Sequence, residues 1–336
     1  MEEIKTEDWW IYKNDDKALD DIKDKKPNWR DNTKPTHNAD AFIASNKEII
    51  DAVNASIYLR RPLLVTGEPG IGKSSLAKSI AKDLKVGKPL HWQVTSKSVL
   101  KDALYSYDAL ARLYDIQMIT KQKENLNEAE EITTDGKMDK PRENSDSIEK
   151  YLKLGVLGEA FLSKKRKVIL IDEIDKSDID LPNDLLHIFE EQEFIIDEVK
   201  RTNKSLKIDG YTIPKSGKVK CKKDFPIIIM TSNGDREFPS AFLRRCISVK
   251  IELPKDKIGF LKKMVINHFK EDGKDFKIED GDDIDKIIKY FVDLKEKGLR
   301  TNDQLLNAVY MVLNIGDMTF DKFKEDFENT ISKEIG

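Results

Sequence analysis

From residue 38 onward the chain alternates short apolar runs with longer stretches of helical periodicity. Pro62-Leu63-Leu64-Val65, Leu90–Val94, Val168-Ile169-Leu170-Ile171 and Ile227-Ile228-Ile229-Met230 read as strands. The last two are continuously apolar, the pattern of strands buried on both faces of a parallel sheet. Ile247, Val249 and Ile251 alternate with polar residues and predict a less buried strand. Lys47–Tyr58 and Ser75–Ala81 carry apolar residues at helical spacing. Past Pro254 the strand signals stop, and Ile258–Phe269, Ile284–Leu294, Asp303–Leu313 and Phe320–Ile331 read as helices. The alternation predicts an α/β domain with a parallel central sheet over residues 38–253, followed by a small all-helical domain over 254–336.

Two insertions interrupt the alternation. Residues 121–148 are almost all charged or small, with Gly136 and Pro141, and predict a mobile excursion. Within 194–224, Asp209-Gly210 stands between Leu206/Ile208 and Tyr211/Ile213, a hairpin signal. Ahead of the core, residues 1–37 form a polar arm that nevertheless carries Trp9, Trp10, Tyr12 and Trp29. So many large aromatics point to docking, on the main domain or on a partner.

Composition narrows the function classes. Charged residues are 36% of the 336, yet the net charge is −3, so no global basic field argues for nucleic acid. The longest apolar runs are too short to span a bilayer, and the acidic N-terminus lacks a leader's apolar stretch. Cys221 and Cys246 stand alone, which fits a reducing cytoplasm. The four histidines lack metal-ligand spacing, so the expected metal is one that arrives with a nucleotide.

The strongest chemical signal is Gly67-Glu68-Pro69-Gly70-Ile71-Gly72-Lys73-Ser74, followed by Ser75, between a strand and a helix. Glycines let backbone N–H groups turn toward phosphates. Lys73 supplies a mobile positive charge, and the Ser74 hydroxyl is a ligand for Mg²⁺. A buried strand then delivers Asp172 and Glu173 as adjacent carboxylates to its C-terminal end. In a nucleotide site Asp172 holds the Mg²⁺ water shell and Glu173 orients or deprotonates the attacking water. Thr231-Ser232-Asn233 end another apolar strand; Asn233 reads as a water-positioning group or as a turn asparagine. Arg244 and Arg245, just before the last strand, read as phosphate-reaching arginines or as surface ion-pairing ones.

The order of these elements resembles an AAA+ ATPase of the MoxR-like group over residues 38–336. Gly67–Ser74 is similar to its Walker A loop and Leu170–Ser177 to Walker B. Thr231–Asn233 is similar to sensor 1, and Ala241–Cys246 to the arginine-finger segment. The two insertions fall where the group carries a helix-2 insert and a hairpin before sensor 1. The resemblance implies ATP and Mg²⁺, a homo-oligomeric ring, commonly of six subunits, and a finger (Arg245, with Arg244 second) that completes a neighbour's site. It also implies a helical lid in which Arg300 is the candidate sensor 2 residue. Members of the group act as chaperone-like remodellers of a protein client, often with a von Willebrand factor A domain protein, and some occur in bacterial defence systems.

Two other readings stay open. Asn233-Gly234-Asp235-Arg236 faintly resembles a segment of the McrB-like GTPases, and Lys218, Lys220 and Lys222 share one strand face. Together they allow a GTP-driven nucleic-acid motor, although a lysine-protected edge strand is the favoured account. A nucleotide-gated scaffold without turnover is the third reading; Glu173, Asn233 and the arginine pair argue against it.

Overall fold

The computed structural model describes residues 47–130, 148–221, 224–269, 277–296, 302–314 and 319–324. The arm 1–37, Lys222, Arg300 and most of the first insertion therefore lie outside the described residues. The strands in chain order are β1 (Leu63–Thr66), β2 (Leu90–Gln93), β3 (Tyr105–Tyr107), β4 (Leu152–Leu154), β5 (Val168–Asp172), β6 (Glu193–Ile195), β7 (Leu206–Ile208), β8 (Tyr211–Ile213), β9 (Lys218–Lys220), β10 (Ile227–Ser232) and β11 (Ile247–Lys250). The helices are α1 (Lys47–Leu59), α2 (Lys73–Asp83), α3 (Leu100–Leu104), α4 (Ala109–Glu130), α5 (Val156–Leu162), α6 (Leu181–Glu191), α7 (Asp197–Thr202), α8 (Ser240–Leu243), α9 (Lys257–Phe269), α10 (Asp283–Glu296) and α11 (Asn302–Asn314). The chain divides into two compact units: Ala52–Val65 with Leu84–Val249, and Thr66–Asp83 with Met1–Asp51 and Lys250–Gly336.

The first of these units holds the central sheet, ordered β11-β1-β10-β5-β2. β5 pairs in parallel with β10 on one side (Ile227↔Val168, Met230↔Ile171) and with β2 on the other (Gln93↔Asp172). The apolar runs of β5 and β10 are buried on both faces, as the sequence pattern predicts. Flanking helices close the core: Leu157 and Phe161 of α5, Leu185 of α6 and Phe242 of α8 are fully buried in it. Cys246 belongs to the same core, where burial pushes its thiol up to about 12, against a small opposing effect of Arg61.

The hairpin read at Asp209-Gly210 is present, between β7 and β8, and both insertions hold more structure than the sequence pattern predicts. α4 continues through Glu130, so the first part of the 121–148 segment is helix rather than a mobile excursion. The physical reason lies in Lys121–Glu130, which is mostly Lys, Gln, Glu, Leu and Ala, all good helix formers, with no glycine, proline or β-branched residue. Several apolar residues of this helix face solvent, among them Leu110 (80% exposed) and Tyr114 (64%). The second insertion is a nested structure. β6 pairs with β9, and α7 and the β7–β8 hairpin lie between them in the chain. Asp209 and Gly210 both have positive φ (47° and 82°), the two-residue turn that matches strand twist.

The second insertion is joined to the segments on either side of the first. Leu154 N–H donates to Asp209 Oδ2 (2.8 Å) and Lys207 N–H to Glu149 Oε1 (2.7 Å). The Tyr105 ring stacks on Phe194 at 6.3 Å, and Lys101 pairs with Glu198 at 3.3 Å. Burial first, and then the Glu198 carboxylate, raise the Tyr105 hydroxyl above the ordinary tyrosine range.

In the other unit α9, α10 and α11 pack around Leu261, Val265, Ile287, Ile288, Leu305 and Val309. A short helical segment follows at 320–324, and the rest of the predicted last helix lies outside the described residues. Asp282 stands just before α10, and its Oδ1 accepts from Asp285 N–H (2.6 Å). Asp285 is fully buried and pairs with Lys262 and Lys289, each at 2.7 Å.

Candidate nucleotide site

Two groups of residues carry the candidate chemistry, one in each unit. In the first, β1 ends at Thr66, whose carbonyl accepts from Ile251 N–H (2.8 Å), and the glycine-rich loop follows at once. Gly67 has φ +152°, and a Cβ there would stand 2.5 Å from the Ile251 carbonyl oxygen, so no side chain fits. The loop passes into α2, where Ser75 and Leu76 N–H groups bond the Gly72 carbonyl (3.0 and 3.2 Å). Lys73, only 7% exposed, folds back so that its Nζ donates to the carbonyls of Gly67 (2.6 Å) and Glu68 (2.9 Å). An ammonium held over the loop, with N–H groups at a helix start, is the arrangement that binds phosphate. Beside the loop is a cavity of about 340 Å³, lined by Gly67, Glu68, Ile71, Ile251, Leu253 and Leu261 among others. Its volume falls within the range of small-ligand pockets.

The second group gathers where β5 and β10 end. Thr231 Oγ1 donates to Asp172 Oδ1 (2.5 Å) and accepts from Glu173 N–H (2.9 Å). One hydroxyl thus fixes both neighbouring acidic residues. Glu173 is left-handed (φ 59°, ψ 49°), a conformation that costs a residue with a side chain about 1–2 kcal/mol. The backbone bond from Thr231 holds it there. Glu173 Oε2 accepts from Gln93 Nε2 (2.6 Å) and Lys176 Nζ (2.8 Å), and the glutamate in turn raises the Lys176 ammonium above its ordinary value. His91 Nε2 lies 3.3 Å from Asp172 Oδ2. Asn233 N–H donates to Asp175 Oδ2 (2.8 Å).

Among the described residues no cluster of three or more His, Cys, Asp or Glu could form a metal cage. In the sheet unit Asp172 offers an oriented carboxylate, a hard oxygen ligand of the kind Mg²⁺ takes. In the helical unit Ser74 offers a hydroxyl of the same chemical kind.

A family model for the AAA domain (Cdc48 subfamily) matches residues 61–272, well over half of the chain. The chain belongs to the AAA family of ATPases. No curated protein matches the sequence. Among solved structures, NtrX from Brucella abortus in complex with ADP is similar at 14% identity, over 84% of this chain and 54% of that one, with a TM-score of 0.42. AMPPCP-bound DnaA from Aquifex aeolicus is similar at 12% identity, over 88% and 69%, with a TM-score of 0.41. The chain spans about half the length of the NtrX chains it matches.

The remaining predicted residues of this AAA ATPase fall as follows. Arg244 and Arg245 cap α8 on the surface. Arg244 Nε donates to the Ser240 carbonyl (3.2 Å), and Arg245 pairs with Glu190 at 2.5 Å. In the helical unit, Asn302 at the start of α11 donates from Nδ2 to the Gly70 carbonyl (2.8 Å). It is buried, and a Cβ at Gly70 would stand 3.3 Å from its own Cβ. Sequence reading passed over Asn302, two residues from the arginine it chose. It also missed Gln93, Asp175 and Lys176. The signals were present: Gln93 closes the second strand, and Asp175 and Lys176 follow Glu173 within one turn.

Proposed function

We propose that this protein is a MoxR-like AAA+ ATPase that hydrolyses ATP to remodel or activate a partner protein complex, working as a ring of about six subunits. In this reading residues 38–253 are the nucleotide-binding domain and 254–336 the lid. Residues 67–75 cradle the phosphates, with Lys73 as counter-charge, and the neighbouring cavity takes the base. Ser74 and, through the water shell, Asp172 would hold a magnesium ion arriving with the nucleotide, which would supply counter-charge to the phosphates. Glu173 takes the proton of the attacking water and Asn233 orients that water. Arg245 reaches a neighbour's transferring phosphoryl group.

The observation that carries the reading is the Asp172–Thr231–Glu173 network: a module that only bound nucleotide would not need a second carboxylate fixed in a left-handed turn. A protein client is favoured over nucleic acid by two further observations. The lysine face of β9 is partly neutralised, since Lys218 and Lys220 lie 2.6 and 3.9 Å from Glu193. α4 presents exposed apolar residues, which suit a protein surface better than a phosphate backbone.

The test is ATP turnover and mass distribution of wild type and Glu173→Gln, each with ATP, GTP or no nucleotide. Turnover should fall about a hundredfold or more in the variant while ATP binding is kept, and ATP should shift its mass to about six subunits. Rapid turnover by Glu173→Gln would remove Glu173 from its role, and a ring seen only with GTP would favour the restriction-type motor.

A further inference from the structure

Asp175 is a buried carboxylate, 6% exposed, three residues past Asp172, and the hydrolysis scheme above gives it no task. Its Oδ2 accepts from Asn233 N–H (2.8 Å) and from Asp235 N–H (3.3 Å). Between these two, Gly234 N–H donates to Ser232 Oγ (3.0 Å). Three successive N–H groups after β10 are therefore all held by side-chain oxygens. The carboxylate fills a concavity of backbone donors, the arrangement that favours an anion. A second strap runs the other way. Arg236 Nη1 donates to the Ser177 carbonyl (2.8 Å), and Ser177 is itself buried behind the Glu173 turn. The segment bearing Asn233 and the turn bearing Glu173 are thus tied in both directions.

We propose that Asp175 is a positioning residue for hydrolysis: by anchoring the Asn233–Asp235 backbone to the turn that presents Glu173, it sets the spacing between the water-orienting amide and the general base. The inference rests on the ATPase reading above. Asn233 has a short side chain, so a shift of its backbone passes directly to its amide group. Deleting the carboxylate would leave two N–H groups without their partner and let the loop move. The Asp235-Arg236 pair, a faint pointer to a nucleic-acid motor in the sequence, is accounted for here as part of this strap.

The experiment measures kcat for ATP and, separately, affinity with a fluorescent ATP analogue, for wild type, Asp175→Ala, Asp175→Asn, Asn233→Ala and the Asp175→Ala/Asn233→Ala double variant. Asp175→Ala should lower kcat about tenfold or more with affinity unchanged. Asp175→Asn keeps an oxygen in place and should recover most of the rate. The double variant should be no slower than Asn233→Ala, because Asp175 acts through Asn233. Undiminished kcat in Asp175→Ala, or a full additional loss in the double variant, would overturn the inference and leave the ATPase reading intact. Absence of turnover in wild type would overturn both. If Asp175→Ala does not fold, Asp175→Glu replaces it, since it keeps the charge but displaces the acceptor by one methylene. A slow Asp175→Glu beside a fast Asp175→Asn supports positioning, and equal rates overturn it.

Discussion

Lys73 shows at single-residue scale how a motif becomes chemistry. Its ammonium is buried against the carbonyls of Gly67 and Glu68, so the charge is held at the loop before any phosphate arrives. Hydrogen bonds to charged groups contribute about 1.5–3 kcal/mol, so Lys73→Ala should weaken ATP binding about ten- to a hundredfold in equilibrium titration. Gly67→Ala probes the loop by geometry instead of charge. The Ile251 carbonyl leaves no room for a Cβ and the backbone conformation excludes one, so the loop must shift. Binding should be lost in that variant, and the thermal midpoint should fall as well, since the displaced carbonyl belongs to the buried Ile251 that bonds the end of β1. Both residues were legible in the sequence because the spacing of glycines and lysine is itself the site. Asn302, Gln93 and Asp175 were not. Each acts by a contact to a residue 58 or more positions away, so a place at a strand end or after Glu173 pointed to the neighbourhood of the site but not to the partner.

At the scale of elements, periodicity served best where an element buries one clear face or both. The two central strands and the three helices α9, α10 and α11 fall within a residue or two of their predicted ends. It fell short at α4, where the start of a segment read as a mobile excursion is helical through Glu130, and at the second insertion, where the predicted hairpin is present but the β6–β9 pair around it was not foreseen. The start of α10 carries a separate prediction. Burial alone would raise the Asp285 carboxyl, but the ammonium groups of Lys262 and Lys289 and the Gly281 N–H outweigh it and hold the carboxyl below the ordinary range. Bonds first to Asp280 and then to Asp285 raise Lys262 above its ordinary value. A depressed acid stabilises above its unfolded pKa of about 3.9 and loses that contribution as pH falls below it. A raised lysine stabilises below its unfolded pKa of about 10.4 and loses that contribution as pH rises beyond it. The cluster should therefore be at full strength between about pH 5 and 10. Asp285→Asn should lower the thermal midpoint at pH 7, and the gap to wild type should close as the pH is taken down through 3. A gap that persisted undiminished in acid would show that the carboxylate's charge is not what stabilises the helix start.

For the whole molecule the decisive question is whether one chain completes another's site. Arg245 pairs with Glu190 of its own chain, but both side chains are about half exposed, at 50% and 55%. Exposed ion pairs contribute about 0–1 kcal/mol, so exchanging Glu190 for a phosphoryl group on a neighbour costs little. In the proposed ring the pair would keep the arginine ordered until a neighbour's phosphoryl group replaced Glu190. Mixing supplies the test. Lys73→Ala has a defective loop and an intact Arg245; Arg245→Ala has the reverse. Each alone should turn over ATP slowly. In a ring of heterologous contacts, a random one-to-one mixture places an intact arginine beside an intact loop at about a quarter of all sites, so turnover should recover toward that fraction of wild type. If the arginine served its own chain, no mixed site would be whole, and the mixture would be only as active as the average of its parts. Recovery that rises with total protein concentration and falls with added salt would further tie it to assembly, because the exchange brings a charge across an exposed surface.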